Sequence, residues 1–254
     1  MIVRPLDGGL LCIPQREHAA LSGALAEAWR GAIAGPAPRD SVVRAARDHD
    51  AGWAEPDRAP RLDPATGHPF DYRSAPLADR LDVAERSVAR VAAADPYAGW
   101  LVSRHFASFY AGSDHSDAAG WVVEQVGRRA GMLARARPRA GEAALHPHVL
   151  EAAFDRLQLF DGLSLAACEG WPSWESRSMA AEAGERETTW SWSGAAKGTE
   201  VRGRVAPWPF EGGELRAEVA ARRLAGGPWD GEAALIEAWE TAEEVRLEAV
   251  LVPG

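Results

Sequence analysis

Four polar positions on the apolar faces of predicted helices constrain the fold of this 254-residue chain most strongly. They are His18, the pair His49 and Asp50, His105, and Asp161. Residues three or four apart share one face of a helix, and apolar residues flank each position at these spacings. A buried imidazole or carboxylate without a partner costs several kcal/mol. One metal ion can partner all four positions, so the pattern predicts that their helices converge on a metal site.

Each position also has a structural explanation when it is taken alone. A single histidine on an apolar face is most often a hydrogen-bonded core residue, because buried polar groups find partners. A carboxylate is almost never fully buried unless it is paired. For Asp161 the rival to a metal is a salt bridge to Arg104 or Arg156, although Arg156 lies about 140° around the helix from it. Asp155 is an alternative ligand on the same predicted helix, but on a more polar face.

The four remaining histidines are His68, His115, His146 and His148. His68 lies in a proline-rich segment, His115 lies in a polar run, and His146 and His148 flank a proline. Histidine is only intermediate in its preference for burial, so we expect surface or helix-capping residues here. One of them could still complete a second metal site or support the first.

Apolar periodicity divides the chain into a helical part and a β-rich part. Short apolar runs around Asp7-Gly8-Gly9 predict a β-hairpin, and helical spacing then dominates residues 15–170. Strand-like alternation follows in residues 171–254. An isolated hairpin is marginally stable, so residues 1–14 should pair with the C-terminal strands. The sequence therefore predicts one α+β unit over residues 1–254, with a mainly α-helical metal-binding core and a small antiparallel sheet.

Residues 51–78 carry five prolines and few apolar positions. A loop of this length inside a compact domain is more often a functional cover than a simple connection. We expect it to fold over the metal site, where Trp53 and Tyr72 offer flat faces to a ring. Asp57 would either support the metal ligands or face the substrate. An ordered surface strap is the alternative.

Composition excludes several functional classes. A formal net charge of -9 argues against a protein that coats nucleic acid, which needs clustered basic residues. No apolar run approaches the roughly 18 residues that span a membrane, and residues 1–15 do not resemble a secretory signal. Cys12 and Cys168 form neither a C-x-x-C motif nor a disulfide framework. We therefore expect a cytoplasmic protein.

The order of the polar positions resembles the HD-domain superfamily: a lone histidine, a His-Asp doublet, a further histidine and a distal aspartate. The resemblance implies that His18, His49, Asp50 and Asp161 hold a divalent metal. This ligand set suits Mn, Fe, Mg or Zn, depending on geometry. The fourth histidine of bimetallic members has no obvious counterpart here, and the C-terminal strands are an addition.

Local strings resemble more closely a bacterial family known as domain of unknown function 3891. The matching strings are QREHAALSG, HDAGW followed by Asp57, LDPATGHP and PWPF. Together they cover most of the chain, but the resemblance brings no activity with it.

These observations predict a metal-dependent phosphohydrolase acting on a small phosphorylated or nucleotide-like substrate, without a nucleic-acid or membrane partner. His105 would ligate a second ion or orient the leaving group. Arg104 would contact phosphate with its planar fork of donors. The alternatives are a di-iron oxygenase of HD type, and a non-catalytic metal-binding or ligand-sensing domain.

Overall fold

The computed structural model describes residues 1–30, 33–178 and 188–254. Within these ranges, no helix is long and apolar enough to cross a bilayer. The α-helices are α1 (Gln15–Ala28), α2 (Arg39–Asp48), α3 (Leu77–Ala94), α4 (Pro96–Phe109), α5 (Ser116–Ala140), α6 (Pro147–Glu169) and α7 (Glu232–Glu240). The strands are β1 (Ile2–Leu6), β2 (Gly9–Ile13), β3 (Leu62–Asp63), β4 (His68–Pro69), β5 (Ser173–Ser178), β6 (Thr188–Lys197), β7 (Glu200–Ala206), β8 (Leu215–Ala225) and β9 (Glu243–Pro253).

Helix boundaries follow capping signals in the sequence. Asp95 accepts hydrogen bonds from the backbone N–H groups of Tyr97 and Ala98, and Pro96 occupies the first turn of α4. Helix α3 therefore ends at Ala94 and α4 begins at Pro96. Helix α6 ends at Gly170, whose left-handed φ of 69° suits glycine.

Helix α6 lies at the centre of the molecule. Its residues from Leu157 to Ser164 are all buried apart from Gln158, which is half-buried. It packs against α1, α2 and α4, and also against β1, β5, β6, β7 and β9. A helix that is apolar on all sides needs cover on all sides, and here helices and sheet supply it together.

Seven strands form one curled sheet in the order β1-β2-β8-β9-β7-β6-β5. Strand β2 pairs antiparallel with β8, so the N-terminal hairpin continues the sheet of the C-terminal strands. All neighbouring strands are antiparallel except β7 and β9, which are parallel. Trp192 on β6 is buried and covers Gly194 and Gly203, which face each other across β6 and β7.

The prediction of a mainly α-helical core with a small antiparallel sheet is wrong. The described residues are about 51% helical, and the sheet is a large, seven-stranded half-barrel. Two features escaped the sequence pattern: β5 has the string SWESRS without clear apolar alternation, and the parallel pair β7–β9 requires a crossover. The continuous apolar surface of α6 also requires a wide sheet to cover it.

Candidate metal centre

His18, His49 and Asp161 converge at the centre of the helical layer. Each is buried, and each offers a ligand atom within 4.8 Å of the others. Asp50 joins them, because its Oδ2 lies 2.9 Å from His18 Nε2 and 3.5 Å from His49 Nε2. His105 Nε2 lies 3.7 Å from Asp161 Oδ2. The structure thus brings together all five polar residues that interrupt the predicted apolar faces.

Close backbone contacts at two glycines position the helices that carry this cluster. A Cβ atom on Gly23 would lie 2.9 Å from Cα of Arg47, so α1 and α2 approach more closely than larger residues allow. A Cβ atom on Gly52 would lie 2.1 Å from the carbonyl oxygen of Val83 on α3. Helix α2 ends at Asp48, immediately before the His49-Asp50 doublet. Neighbouring residues in a regular helix point about 100° apart, so this ending lets both side chains face the cluster.

The hydrogen bonds of Ser164 fix the orientation and tautomer of His18. The Ser164 hydroxyl donates its only hydrogen to the carbonyl oxygen of Asp161, at 2.8 Å. Its oxygen is 2.9 Å from His18 Nδ1 and must therefore accept from Nδ1–H. In a neutral imidazole this leaves a lone pair on Nε2, directed at the Asp50 carboxylate. Two acceptors facing each other are stable only if a proton or a metal cation lies between them.

His49, which immediately follows α2, has the same arrangement. Its Nδ1 lies 2.8 Å from the carbonyl oxygen of Ala46, which can only accept, so Nδ1 carries the hydrogen. Its buried Nε2 has no hydrogen-bond partner among the described residues. This nitrogen lies 3.3 Å from Asp161 Oδ1. Both imidazoles therefore direct Nε2 toward carboxylates, which is how histidine ligands are held when their other nitrogen is anchored by a hydrogen bond.

The cluster combines buried groups of opposite charge. Burial alone would lower the pKa of His49, but the carboxylates of Asp50 and Asp161 raise this pKa to about 9. Burial would raise the pKa of Asp161, but the three nearby imidazoles hold it well below its usual range. Burial likewise opposes the fall in the pKa of Asp50, which His49 and His18 lower. Two ionised carboxylates in a buried site thus favour a positive charge between them.

His105 borders the same cluster but remains neutral. Burial lowers the pKa of His105 to about 4. Its ring packs edge-on against Phe109, with ring centroids 4.7 Å apart, and against Phe106 and His49. Its buried Nδ1 has no hydrogen-bond partner in the described part of the chain. His105 is therefore a neutral, fixed imidazole with a free ring nitrogen.

A cavity of about 250 Å³ opens onto the cluster. Its other walls are mainly aromatic, with two arginines, and they come from α1, the segment 51–78, α3, α4 and α6. They are Gln15, Trp53, Tyr72, Arg73, Arg80, Phe106, Phe109, Tyr110 and Leu165. Trp53 and Tyr72 belong to the proline-rich segment, which therefore contributes a wall of the cavity. This segment also contains β3, β4 and two short 3-10 helices.

Two residues predicted to act in catalysis lie elsewhere. The guanidinium of Arg104 pairs with Glu151 at 2.9 Å and lies over the ring of Phe154. Asp57 accepts a hydrogen bond from the backbone N–H of Gln15 at 2.6 Å, and its other oxygen is 2.7 Å from the Met1 amino nitrogen. Neither Arg104 nor Asp57 lines the cavity. Helical periodicity identifies the face of a helix but not the partner that a charged side chain meets across it.

The remaining histidines and the alternative aspartate also lie outside the cluster. His115, His146 and His148 are exposed, and the ring of His68 packs against Trp229. Asp161, not Asp155, belongs to the group of converging ligand atoms.

Sequence reasoning missed Ser164, Arg73 and Arg80. Ser164 lies three residues after Asp161, a spacing that places it on the same helix face. That spacing is the one signal that could have found it. Nothing in the local sequence distinguishes Arg73 or Arg80 from the other arginines of the chain.

A family model described as "Protein of unknown function (DUF3891)" matches residues 1–226. The chain belongs to this family. No curated protein and no solved structure matches the chain. All five clustered residues of this DUF3891 chain lie within the matched range, whereas α7 and β9 lie beyond it.

The donor set of this DUF3891 chain fits a divalent metal ion. Imidazole nitrogens and carboxylate oxygens are ligands for Zn, Fe and Mn, and His18, His49 and Asp161 could hold such an ion. His49 Nε2 supports this assignment, because it is buried within 3.5 Å of two carboxylates but forms no hydrogen bond to any described residue, and a cation between these groups would bind them all. Asp50 is close enough to His18 and His49 to complete the set.

Proposed function

We propose that this protein is a metal-dependent phosphohydrolase of HD type, acting on a small phosphorylated molecule. One observation carries the proposal: both anchored imidazoles direct Nε2 at buried carboxylates where the cavity opens. The chain order of His18, the His49-Asp50 doublet and Asp161 supports the HD assignment. A bound divalent cation acts as a Lewis acid on a phosphoryl oxygen and increases the acidity of water.

The chain's own residues have separate roles in this proposal. His18, His49, Asp50 and Asp161 bind the cation, and the hydrogen bonds to Ser164 and Ala46 hold the two imidazoles in place. His105, which lines the cavity beside Asp161, orients the leaving group. The aromatic walls exclude bulk water from the cluster, which strengthens electrostatic interactions within it. Since Cys12 and Cys168 are both free thiols, we further propose a reducing, cytoplasmic location.

The test combines elemental analysis with an assay for phosphate release. We expect about one divalent ion per chain from the four-ligand set, and release of inorganic phosphate from phosphomonoesters when Mn, Fe, Mg or Zn is supplied. Asp161→Asn should abolish metal retention and phosphate release together. Glu151→Gln, on the same helix but paired with Arg104 outside the cavity, is the matched control and should retain both.

Two results would reject the hydrolase in favour of the alternatives. Two irons per chain with consumption of dioxygen would identify an oxygenase. Absence of turnover in the metal-loaded protein across a broad set of phosphate esters would identify a non-catalytic domain.

A further inference from the structure

Two arginines line the cavity, and their environments differ. Arg73 is neutralised: its guanidinium lies 2.9 Å from Asp71 and 2.9 Å from Glu169, and it stacks over the ring of Tyr72. The side chain of Arg80 makes no ion pair or hydrogen bond within the described ranges, and its buried Nε is without a partner. Arg80 is therefore an uncompensated positive charge facing the cavity.

A guanidinium beside a cavity that forms no ion pair or side-chain hydrogen bond needs a physical explanation. Arginine presents planar donors that match the oxygens of a phosphate or carboxylate. Tyr110 also lines the cavity, and the nearby charge of Arg80 opposes the rise that burial causes in the pKa of the Tyr110 phenol. A second donor thus lies close to Arg80.

The surfaces around this pair are apolar. Trp53, Phe106 and Leu165 line the cavity, and Phe109 lines it with 58% of its surface exposed. A large exposed aromatic side chain beside a cavity is typical of a binding surface. The volume of about 250 Å³ lies below the roughly 300–1,000 Å³ of drug-sized sites, which limits the ligand to a small molecule.

We propose that Arg80 binds the anionic group of the ligand, and that this ligand is a phosphomonoester whose organic part is a compact apolar ring. The choice of phosphate over carboxylate rests on the proposed hydrolase function. Arg80 lies on α3. The clustered His and Asp side chains come from other elements, namely α1, α4, α6 and the two residues that follow α2. The anion would therefore be bound by a helix that supplies none of the metal ligands.

The test measures binding of phenylphosphonate, which carries an anion and a ring but has no ester bond to hydrolyse. Titration calorimetry on the full chain in chelator, repeated with Mn²⁺, separates binding from turnover. Loss of a charge-assisted hydrogen bond weakens binding by about 10- to 100-fold, and we expect this range for Arg80→Gln. Arg80→Lys keeps the charge but loses the planar fork of donors. Its affinity for phenylphosphonate should therefore lie between those of Arg80→Gln and the unmodified protein. Arg86→Gln is the control: it lies on the same helix, pairs with Asp82 and Glu55, and should bind as the unmodified protein does.

Unchanged affinity in Arg80→Gln and Arg80→Lys would overturn the proposal, as would equal weakening in Arg86→Gln. Benzoate and inorganic phosphate test the two halves of the ligand separately. If benzoate binds as tightly as phenylphosphonate, the site does not select phosphate over carboxylate. If inorganic phosphate binds as tightly as phenylphosphonate, the apolar walls do not contribute to binding. If phenylphosphonate binding depends on Arg80 but no phosphomonoester is hydrolysed, the hydrolase proposal fails and anion recognition by Arg80 stands.

Discussion

Ser164→Ala should weaken metal binding through His18 without removing any ligand. In the structure Ser164 accepts from His18 Nδ1–H and so leaves the Nε2 lone pair available. Alanine removes that acceptor. The imidazole then either keeps a buried, unpaired Nδ1–H or moves its hydrogen to Nε2, where the Asp50 carboxylate at 2.9 Å accepts it. Moving the hydrogen places it where the cation would bind.

The expected loss of metal affinity follows from these two possible states of the imidazole. An unpaired buried donor costs about 1–3 kcal/mol, and loss of a residue that anchors a metal ligand lowers metal affinity by about 10- to 100-fold. The two estimates agree, because tenfold in affinity corresponds to about 1.4 kcal/mol. We therefore expect Ser164→Ala to bind Zn²⁺ or Mn²⁺ about 10- to 100-fold more weakly.

The measurement is competition against a chromophoric chelator, with urea unfolding in parallel to record stability. Ser22→Ala is the matched control. Ser22 is fully buried on α1, one turn after His18, and its hydroxyl has no hydrogen-bond partner in the described part of the chain. If Ser164→Ala binds metal as tightly as the unmodified protein, or if Ser22→Ala is weakened equally, the tautomer of His18 does not govern the site.

Three further predictions test the site and its support. Removal of the metal by a chelator should lower the melting temperature, because a ligand present at 100 times its Kd stabilises the native state by about 2.7 kcal/mol. Calorimetry of Asp161→Asn should find the same melting temperature with and without the chelator. Gly52→Ala should destabilise the protein by about 1–3 kcal/mol in urea unfolding through overpacking. Gly127→Ala should stabilise it, because Gly127 is exposed on α5 and an added Cβ would have no atom within 4 Å. Asp57→Ala should cost about 1–3 kcal/mol of unfolding free energy, because the buried N–H of Gln15 loses its acceptor. Its metal affinity should equal that of the unmodified protein, and a selective loss of metal binding would contradict this structural role.

Helical periodicity predicted the residues of the cluster because burial leaves a strong signal in sequence. His18, His49, Asp50, His105 and Asp161 are polar residues on faces that are otherwise apolar, and all five are buried in the structure. The helical part of the chain, residues 15–170, followed from the same periodicity, and all six helices from α1 to α6 lie within it.

The partners of surface arginines could not be predicted, because they depend on packing between helices. Arg104 and Arg80 look equivalent in sequence, but Arg104 meets Glu151 on α6, whereas Arg80 faces the cavity. The width of the sheet was missed for a related reason. Strand β5 is defined by its pairing with β6, Trp174 opposite Trp192, and not by a local apolar pattern.

The central position of α6 has a consequence for how the site exchanges with its surroundings. Helix α6 carries Asp161 and Ser164 and contacts both edge strands of the sheet, β1 and β5. We expect amides in such a segment to exchange with solvent mainly through global unfolding, because elements on several sides cover them. An ion should then enter and leave through the cavity and not by local opening of α6. Since Phe109 and Tyr110 line this cavity, we expect the bulk of their side chains to affect the rates of metal uptake and release.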